Sequence, residues 1–218
     1  MTSAKRDLYE SVDLLRSSMV YGYEPINIIS LVNASNRIDL EHYSFNTVGL
    51  CGVAMVGDKK DTIVLNAKRS RIERNFDCGH ELLHLYLHRN FSENFNCFAT
   101  RKPKQNSFME WQANEGAAQL LVPYQDFIPR FLCCFFNLGR VLGRFDIIGE
   151  LASHYGVTPQ VIRNRIECLS YEMDQYRLGI GPQSLQLLSK NQRKKLNITP
   201  TNYLALCGFP LDWDSEIG

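Results

Sequence analysis

Residues 70–88 read SRIERNFDCGHELLHLYLH, and this stretch decides how the chain is interpreted. Its apolar residues recur at helical spacing, which predicts one half-buried helix from Ser70 to about Arg89. Side chains four residues apart on a helix lie on one face, about 5–6 Å apart at Cβ. His80 and His84 are therefore placed to bind one metal ion through their imidazoles at about 2.0–2.1 Å.

Glu81 adds a carboxylate next to the first histidine. Two histidines with this spacing and an adjacent glutamate are typical of zinc hydrolases, in which the glutamate is the general base. His88 continues the series by another turn. It lies about 12 Å along the helix axis from His80, so one ion cannot bind both. We predict that His88 ends the helix or supports a ligand from behind.

A zinc site of this kind needs a third protein ligand and an open position. One known spacing requires glycine and histidine where this chain has Leu87 and Asn90, so that pattern fails. The other supplies a glutamate from a later helix. Glu110 fits, and Asn114, one turn further on, could hydrogen-bond a ligand imidazole. The alternative is that Glu115 is the ligand and Glu110 is solvated.

Two segments together resemble a known family. Residues 74–88, RNFDCGHELLHLYLH, are similar to the active-site helix of the ImmA/IrrE-type metallopeptidases. Residues 110–123, EWQANEGAAQLLVP, resemble the second signature of that family. The resemblance extends over about residues 8–170. Leu83 and Gly116 depart from the usual glycine and phenylalanine, which predicts altered packing rather than lost chemistry.

The resemblance implies a site and a role. His80, His84 and Glu110 would hold one Zn²⁺ per chain, and Glu81 would be the base of a zinc-dependent metalloendopeptidase. Tyr86 and Tyr124 are the possible oxyanion stabilisers. Members of the family are typically anti-repressors that cleave a helix-turn-helix transcriptional repressor. The expected partner is therefore such a repressor.

The predicted fold class is α+β. We expect a zincin-like, mostly helical domain with a small antiparallel sheet of about three strands. Val48–Val56 and Thr62–Asn66 read as a β-hairpin, and Ile38–Phe45 is the third strand. Asn90–Ser107 is polar and is predicted to be a loop. A helical, helix-turn-helix-like segment follows this core.

Three regions are predicted along the chain: a zincin-like metallopeptidase core at 1–139, a helix-turn-helix-like helical segment packed on that core at 140–175, and an extension of unknown role at 176–218. Within the second region, Thr158 and Pro159 have the residue types that begin a helix. Four side chains of that helix could face a DNA major groove, namely Gln160, Arg163, Asn164 and Arg165. The alternative function is thus a DNA-binding transcriptional regulator with a structural metal site.

Bulk properties favour the peptidase. The formal net charge is only +1, so direct nucleic-acid binding is not expected. The most apolar stretch, residues 131–136, is far shorter than the roughly 17 residues of a membrane span. Seven cysteines without a Cys-x-x-Cys pair, and a polar start without an apolar leader, predict reduced thiols in a cytoplasmic protein.

Overall fold

The computed structural model describes residues 4–99, 105–138 and 146–207. It divides the chain into two compact units. Among the described residues, the first unit comprises 26–121 and the second comprises 4–25 together with 122–207. The predicted helix that carries His80, Glu81 and His84 belongs to the first unit, as does Glu110. The whole predicted metal site therefore lies within one unit.

The first unit contains a four-stranded sheet in the order β1-β3-β2-β4. The strands are β1 (Ile38–Tyr43), β2 (Leu50–Met55), β3 (Asp61–Asn66) and β4 (Asn94–Phe98). β2 pairs antiparallel with both β3 and β4, whereas β1 pairs parallel with β3. The centre of the sheet is buried: Ala54, Ile63 and Leu65 have no exposed surface.

The α+β class is confirmed, but the sheet differs from its prediction in two respects. It has a fourth strand, β4, within the segment predicted as a loop, and one pairing is parallel. β4 has five residues of which two are asparagine, so its alternation of exposed and buried positions is a weak signal. β1 occupies the edge of β3 that its hairpin partner β2 leaves free.

Helix α3 (Arg71–Leu87) packs on this sheet, in contact with β2, β3 and β4. Ser70 and Glu73 begin it with a capping box, in which each side chain accepts a hydrogen bond from the other's backbone N–H. The prediction of a helix from Ser70 to about Arg89 is therefore confirmed. Gly79 of α3 allows close packing, because a methyl group there would lie 2.8 Å from Ile28 Cδ1.

Two shorter helices flank α3 in the same unit. α2 (Ile28–Ala34) is fixed to α3 by Asn75, whose Oδ1 accepts from the Ile28 amide at 2.7 Å and whose Nδ2 donates to the Ile26 carbonyl at 3.1 Å. α4 (Ser107–Leu121) packs along α3 and carries Glu110 in its first turn. The sheet, α3 and α4 together place the predicted site residues.

The second unit is helical. Its elements are α1 (Ala4–Met19), α5 (Tyr124–Cys133), a π-helical turn (Cys134–Leu138), α6 (Ile147–Tyr155), α7 (Pro159–Cys168), α8 (Ser170–Arg177), a 3₁₀ turn (Pro182–Ser184), α9 (Lys190–Lys195) and α10 (Tyr203–Leu206). Its interior holds a buried ion pair, with Lys5 Nζ 2.9 Å from Glu172 Oε1. Tyr9 stacks on Tyr124 with ring centroids 5.5 Å apart.

Within the predicted helix-turn-helix-like segment, α6 and α7 are joined by a tight turn. Gly156 ends α6 with φ 63°, a left-handed conformation that favours glycine. Thr158 then caps α7, and Pro159 occupies its first turn. One of the predicted groove-facing residues is wrongly placed for that role. Arg165 is only 1% exposed, and its Nε donates to the Val122 carbonyl at 2.9 Å.

The two units do not follow the predicted regions 1–139, 140–175 and 176–218, because α1 clusters with the helices after Val122. The units are spatial groups rather than consecutive domains, so the predicted boundaries stay a prediction. Within the extension, the described part ends at Cys207, and residues 208–218 lie outside the described residues. None of the described helices has the length and apolar character needed to cross a membrane.

Candidate metal centre

Three side chains from two helices of the first unit converge. His80 and His84 on α3 place their Nε2 atoms 3.0 Å apart. Glu110 on α4 places Oε2 at 3.5 Å from His80 Nε2 and Oε1 at 3.5 Å from His84 Nε2. Donors about 2.0–2.1 Å from one tetrahedral ion are separated by about 3.3 Å. The three residues therefore fit a single divalent ion in spacing and in donor type.

Both histidines are oriented from behind by other side chains. The Nδ1 of His80 lies 3.0 Å from Asn114 Oδ1, which can only accept, so Nδ1 carries the proton. That tautomer leaves the Nε2 lone pair for a metal. The predicted role of Asn114 as a hydrogen-bonding partner of a ligand imidazole matches this contact, and such contacts fix ring orientation in metal sites.

The second histidine is held by a relay of two hydrogen bonds. His84 Nδ1 lies 3.0 Å from His88 Nδ1, and His88 Nε2 lies 3.1 Å from Gln112 Oε1. Because Gln112 Oε1 accepts, His88 Nε2 donates and its Nδ1 accepts the proton of His84. His88 is also the C-cap of α3, so both predicted alternatives, helix end and support of a ligand, describe it.

Burial keeps the imidazole of His84 uncharged. It lowers the pKa of His84 to about 2, and the neighbouring rings of His80 and His88 add to the effect. Phe95 of β4 contributes to this apolar environment by stacking on His84 with ring centroids 4.7 Å apart. A neutral imidazole is the form that binds metal ions.

Glu81 is fully buried beside these ligands, with a carboxylate oxygen within 4.8 Å of a His80 ring nitrogen. Neither carboxylate oxygen of Glu81 has a hydrogen bond of normal geometry among the described residues. The nearby backbone of Cys97 lowers the pKa of Glu81, but this effect is smaller than that of burial. Burial raises the pKa of Glu81 well above its usual range, and the carboxylates of Glu110 and Asp77 raise it further. A buried carboxylate of this kind suits a proton acceptor.

Two other groups of potential ligands occur among the described residues: Cys51, Asp77 and Cys97, and His80, Glu81 and Cys97. All members of both groups are buried. Asp77 is also engaged with Arg69, whose Nε lies 2.6 Å from Asp77 Oδ2. In the group of His80, His84 and Glu110, Glu110 is 14% exposed and gives the site an opening.

The remaining predicted residues lie elsewhere. Glu115 is not part of the grouping, which contains Glu110 instead. Tyr86 follows His84 by two residues, which places it on the opposite face of α3, and it is 41% exposed. Tyr124 belongs to the second unit, where burial raises its pKa to about 12. The placement of Tyr86 does not favour an oxyanion role, and for both tyrosines that role stays a prediction.

Two contributors were missed by sequence reasoning. Gln112 completes the relay behind His84, and Gly52 of β2 packs against Glu81. A glycine inside a strand is a recognised sign that another group approaches the backbone closely, so Gly52 had a detectable signal. Gln112 had none, because only the packing of α4 on α3 brings it to His88.

Comparisons with known proteins agree with the fold. A Mycobacterium tuberculosis transcriptional regulator of solved structure superposes with a TM-score of 0.51 at 13% identity, over 74% of this chain and 47% of that chain. This chain thus spans about half the length of that protein, and the likeness shows the fold alone. No curated protein matches the sequence. The Peptidase_M78 model, described as the IrrE N-terminal-like domain, matches residues 26–167. Because this match includes most of the chain, the protein belongs to the Peptidase_M78 family, whose members have a metallopeptidase-like role.

Proposed function

We propose that this protein is a zinc-dependent metalloendopeptidase. The observation that carries the proposal is the spacing of His80 Nε2, His84 Nε2 and the Glu110 carboxylate, at 3.0, 3.5 and 3.5 Å. Two imidazoles and one carboxylate are one of the ligand sets found in catalytic zinc sites. These residues would hold the zinc ion, which would supply Lewis-acid activation of water and of the scissile carbonyl.

Glu81 performs the proton transfers in this proposal. Its buried, unpartnered carboxylate takes a proton from the attacking water and gives it to the leaving amine. Asn114 and His88 hold the imidazoles in the tautomer that the ligand role requires. Exposed aromatic surface lies in the same turn as Glu110: Phe108 is 53% exposed and stacks on Trp111, and such surface suits a peptide substrate.

The proposed substrate is a helix-turn-helix transcriptional repressor, cleaved at one site, which makes the protein an anti-repressor. This part rests on the family resemblance and on no contact within the chain. A cytoplasmic location is part of the same proposal and stays a prediction.

Glu81→Gln tests the enzyme assignment, because glutamine keeps the shape but cannot accept a proton. We expect the variant to bind one zinc per chain, measured by elemental analysis, and to lose cleavage of a co-expressed repressor. Continued cleavage by the variant would refute the role of Glu81. A protein without bound zinc after purification with excess metal would refute the whole site.

The second candidate is a DNA-binding regulator, favoured by the turn between α6 and α7. The burial of Arg165 removes one of the four side chains it needs. We expect no sequence-specific duplex binding at physiological salt in a gel-shift assay. Tight, sequence-dependent binding would favour the regulator instead.

A further inference from the structure

A pocket of about 340 Å³ lies within the second unit. Small-molecule sites in proteins begin at about this size. Its walls come from α7, α8, α9, α10 and the segment between the last two helices, and its polar lining includes Lys190, Arg193 and Lys194 of α9. None of the proposed peptidase residues contributes to it, so the pocket is independent of the function proposed above.

Arg193 is the unusual member of the lining. It is only 7% exposed, yet its one recorded side-chain contact is Nη1 donating to Ser170 Oγ at 3.0 Å. No carboxylate forms an ion pair with it within residues 4–99, 105–138 and 146–207. A buried guanidinium without a counter-ion is costly. None of its nitrogens is both fully enclosed and without a hydrogen-bond partner, and Arg193 is part of the pocket lining.

The charge around Arg193 is also positive. Lys190 and Lys194 line the same pocket, and Lys194 is exposed and makes no ion pair with a described residue. Glu167 is the single acidic residue of the lining, and it lies 3.6 Å from Lys190 Nζ. Among the lining residues, three cations against one carboxylate leave an excess positive charge. An anion would be attracted to it and held most closely by Arg193.

The rest of the wall combines polar residues, namely Ser170, Thr199, Thr201 and Asn202, with apolar ones. Ile198, Pro200 and Leu204 line the pocket and are each partly exposed, so they offer it an apolar surface. An inorganic ion alone would leave this surface uncovered. A ligand with an apolar body and an anionic end would use both parts of the lining.

We propose that this pocket binds a small organic anion, with its carboxylate or phosphate group on the guanidinium of Arg193 and its apolar body against Ile198, Pro200 and Leu204. Guanidinium groups bind both kinds of anion through paired hydrogen bonds. The two kinds of headgroup are therefore compared directly in the test.

The experiment is an NMR titration of the full chain, labelled with ¹⁵N, using hexyl phosphate, hexanoate, hexanol and inorganic phosphate. We expect saturable shifts of amides in α7 and residues 198–204 with at least one hexyl anion. The stronger of the two identifies the headgroup. Hexanol and inorganic phosphate should bind more weakly than that anion, because hexanol has no anionic group and inorganic phosphate has no apolar chain.

Arg193→Gln should weaken binding of the preferred anion by about tenfold or more, since a hydrogen bond to a charged group is lost. Lys195→Gln is the matched control, because Lys195 is an exposed cation of α9 outside the lining. If Arg193→Gln does not fold, Lys194→Gln replaces it, with a weaker loss expected. The proposal fails if neither anion binds, if hexanol binds equally well, or if Lys195→Gln weakens binding as much as the lining variant.

Discussion

Gly52 of β2 lies directly against the side chain of Glu81 on α3. A methyl group placed on Gly52 would be 2.9 Å from Glu81 Oε1 and 3.1 Å from its Cγ. Real side chains do not tolerate the shorter of these contacts, so the strand can carry only glycine if Glu81 keeps its position. A residue without a side chain thus fixes where the proposed base lies.

Gly52→Ala should displace the Glu81 carboxylate and leave the metal ligands in place. We expect peptidase activity to fall by about 100-fold, since a shift of about 1 Å in a reacting group has effects of this size. Zinc content, measured by elemental analysis, should stay at one per chain. Gly181→Ala is the control, because nothing lies within 4 Å of its added methyl group and its φ is −63°. Equal peptidase activity of the two variants would show that the contact of Gly52 with Glu81 does not position the carboxylate for catalysis.

His88→Ala should break the hydrogen-bond relay from His84 to Gln112. Loss of such a partner typically weakens metal binding by about 10–100-fold, so we expect that decrease in zinc affinity. Competition with a chromophoric chelator measures it. His42→Ala is a suitable control, because His42 is an exposed histidine of β1. An unchanged affinity in the His88 variant would show that the relay does not support the metal.

Lys5→Met should destabilise the protein strongly by leaving the buried carboxylate of Glu172 without its cation. Both side chains are nearly inaccessible, at 3% and 0% exposure, and breaking such a pair costs about 3–5 kcal/mol. Lys60→Met is the comparison. It removes an ion pair in which Lys60 Nζ lies 3.0 Å from Asp39 Oδ1 and both side chains are about half exposed. That change should cost less than about 1 kcal/mol. Urea unfolding measures the free energy of unfolding of both variants. A similar loss in the two would contradict the special weight given to the buried pair.

The capping box of α3 should make stability fall in acid. The backbone N–H of Ser70 and its hydroxyl lower the pKa of Glu73 below its ordinary value of 4.5. A carboxylate whose pKa is lower when folded stabilises the protein above the unfolded pKa and loses this effect as the pH falls through the folded pKa. We expect the urea midpoint of unfolding to decrease as the pH is lowered below 4.5, and to decrease more in the wild type than in Glu73→Gln. Parallel curves would exclude a contribution from Glu73.

Ser70→Ala removes the other half of the same box. Its side chain accepts from the Glu73 amide at 3.2 Å, so the helix would begin with one more unsatisfied donor. The expected loss is about 1 kcal/mol at neutral pH, measured by urea unfolding. A loss indistinguishable from zero would mean that packing of α3 on the sheet alone fixes where the helix begins.

Short-range patterns in the sequence determined the features that depend on neighbours along the chain. The spacing of His80 and His84, the capping residue Ser70 and the turn at Gly156 each act within one or two helical turns. The tautomer partner Asn114 was also foreseen, because it shares a face of α4 with Glu110. Helical periodicity is sufficient for such relationships.

Only the tertiary structure decided which residues that are distant in sequence contact one another. The approach of Glu110 to both imidazoles, the relay through Gln112 and the contact of Gly52 with Glu81 all require the packing of α4 and β2 on α3. The burial of Arg165, expected at a surface, depends on α7 contacting Val122. These contacts arise from the burial of apolar faces between elements distant in sequence, for which a local pattern contains no information.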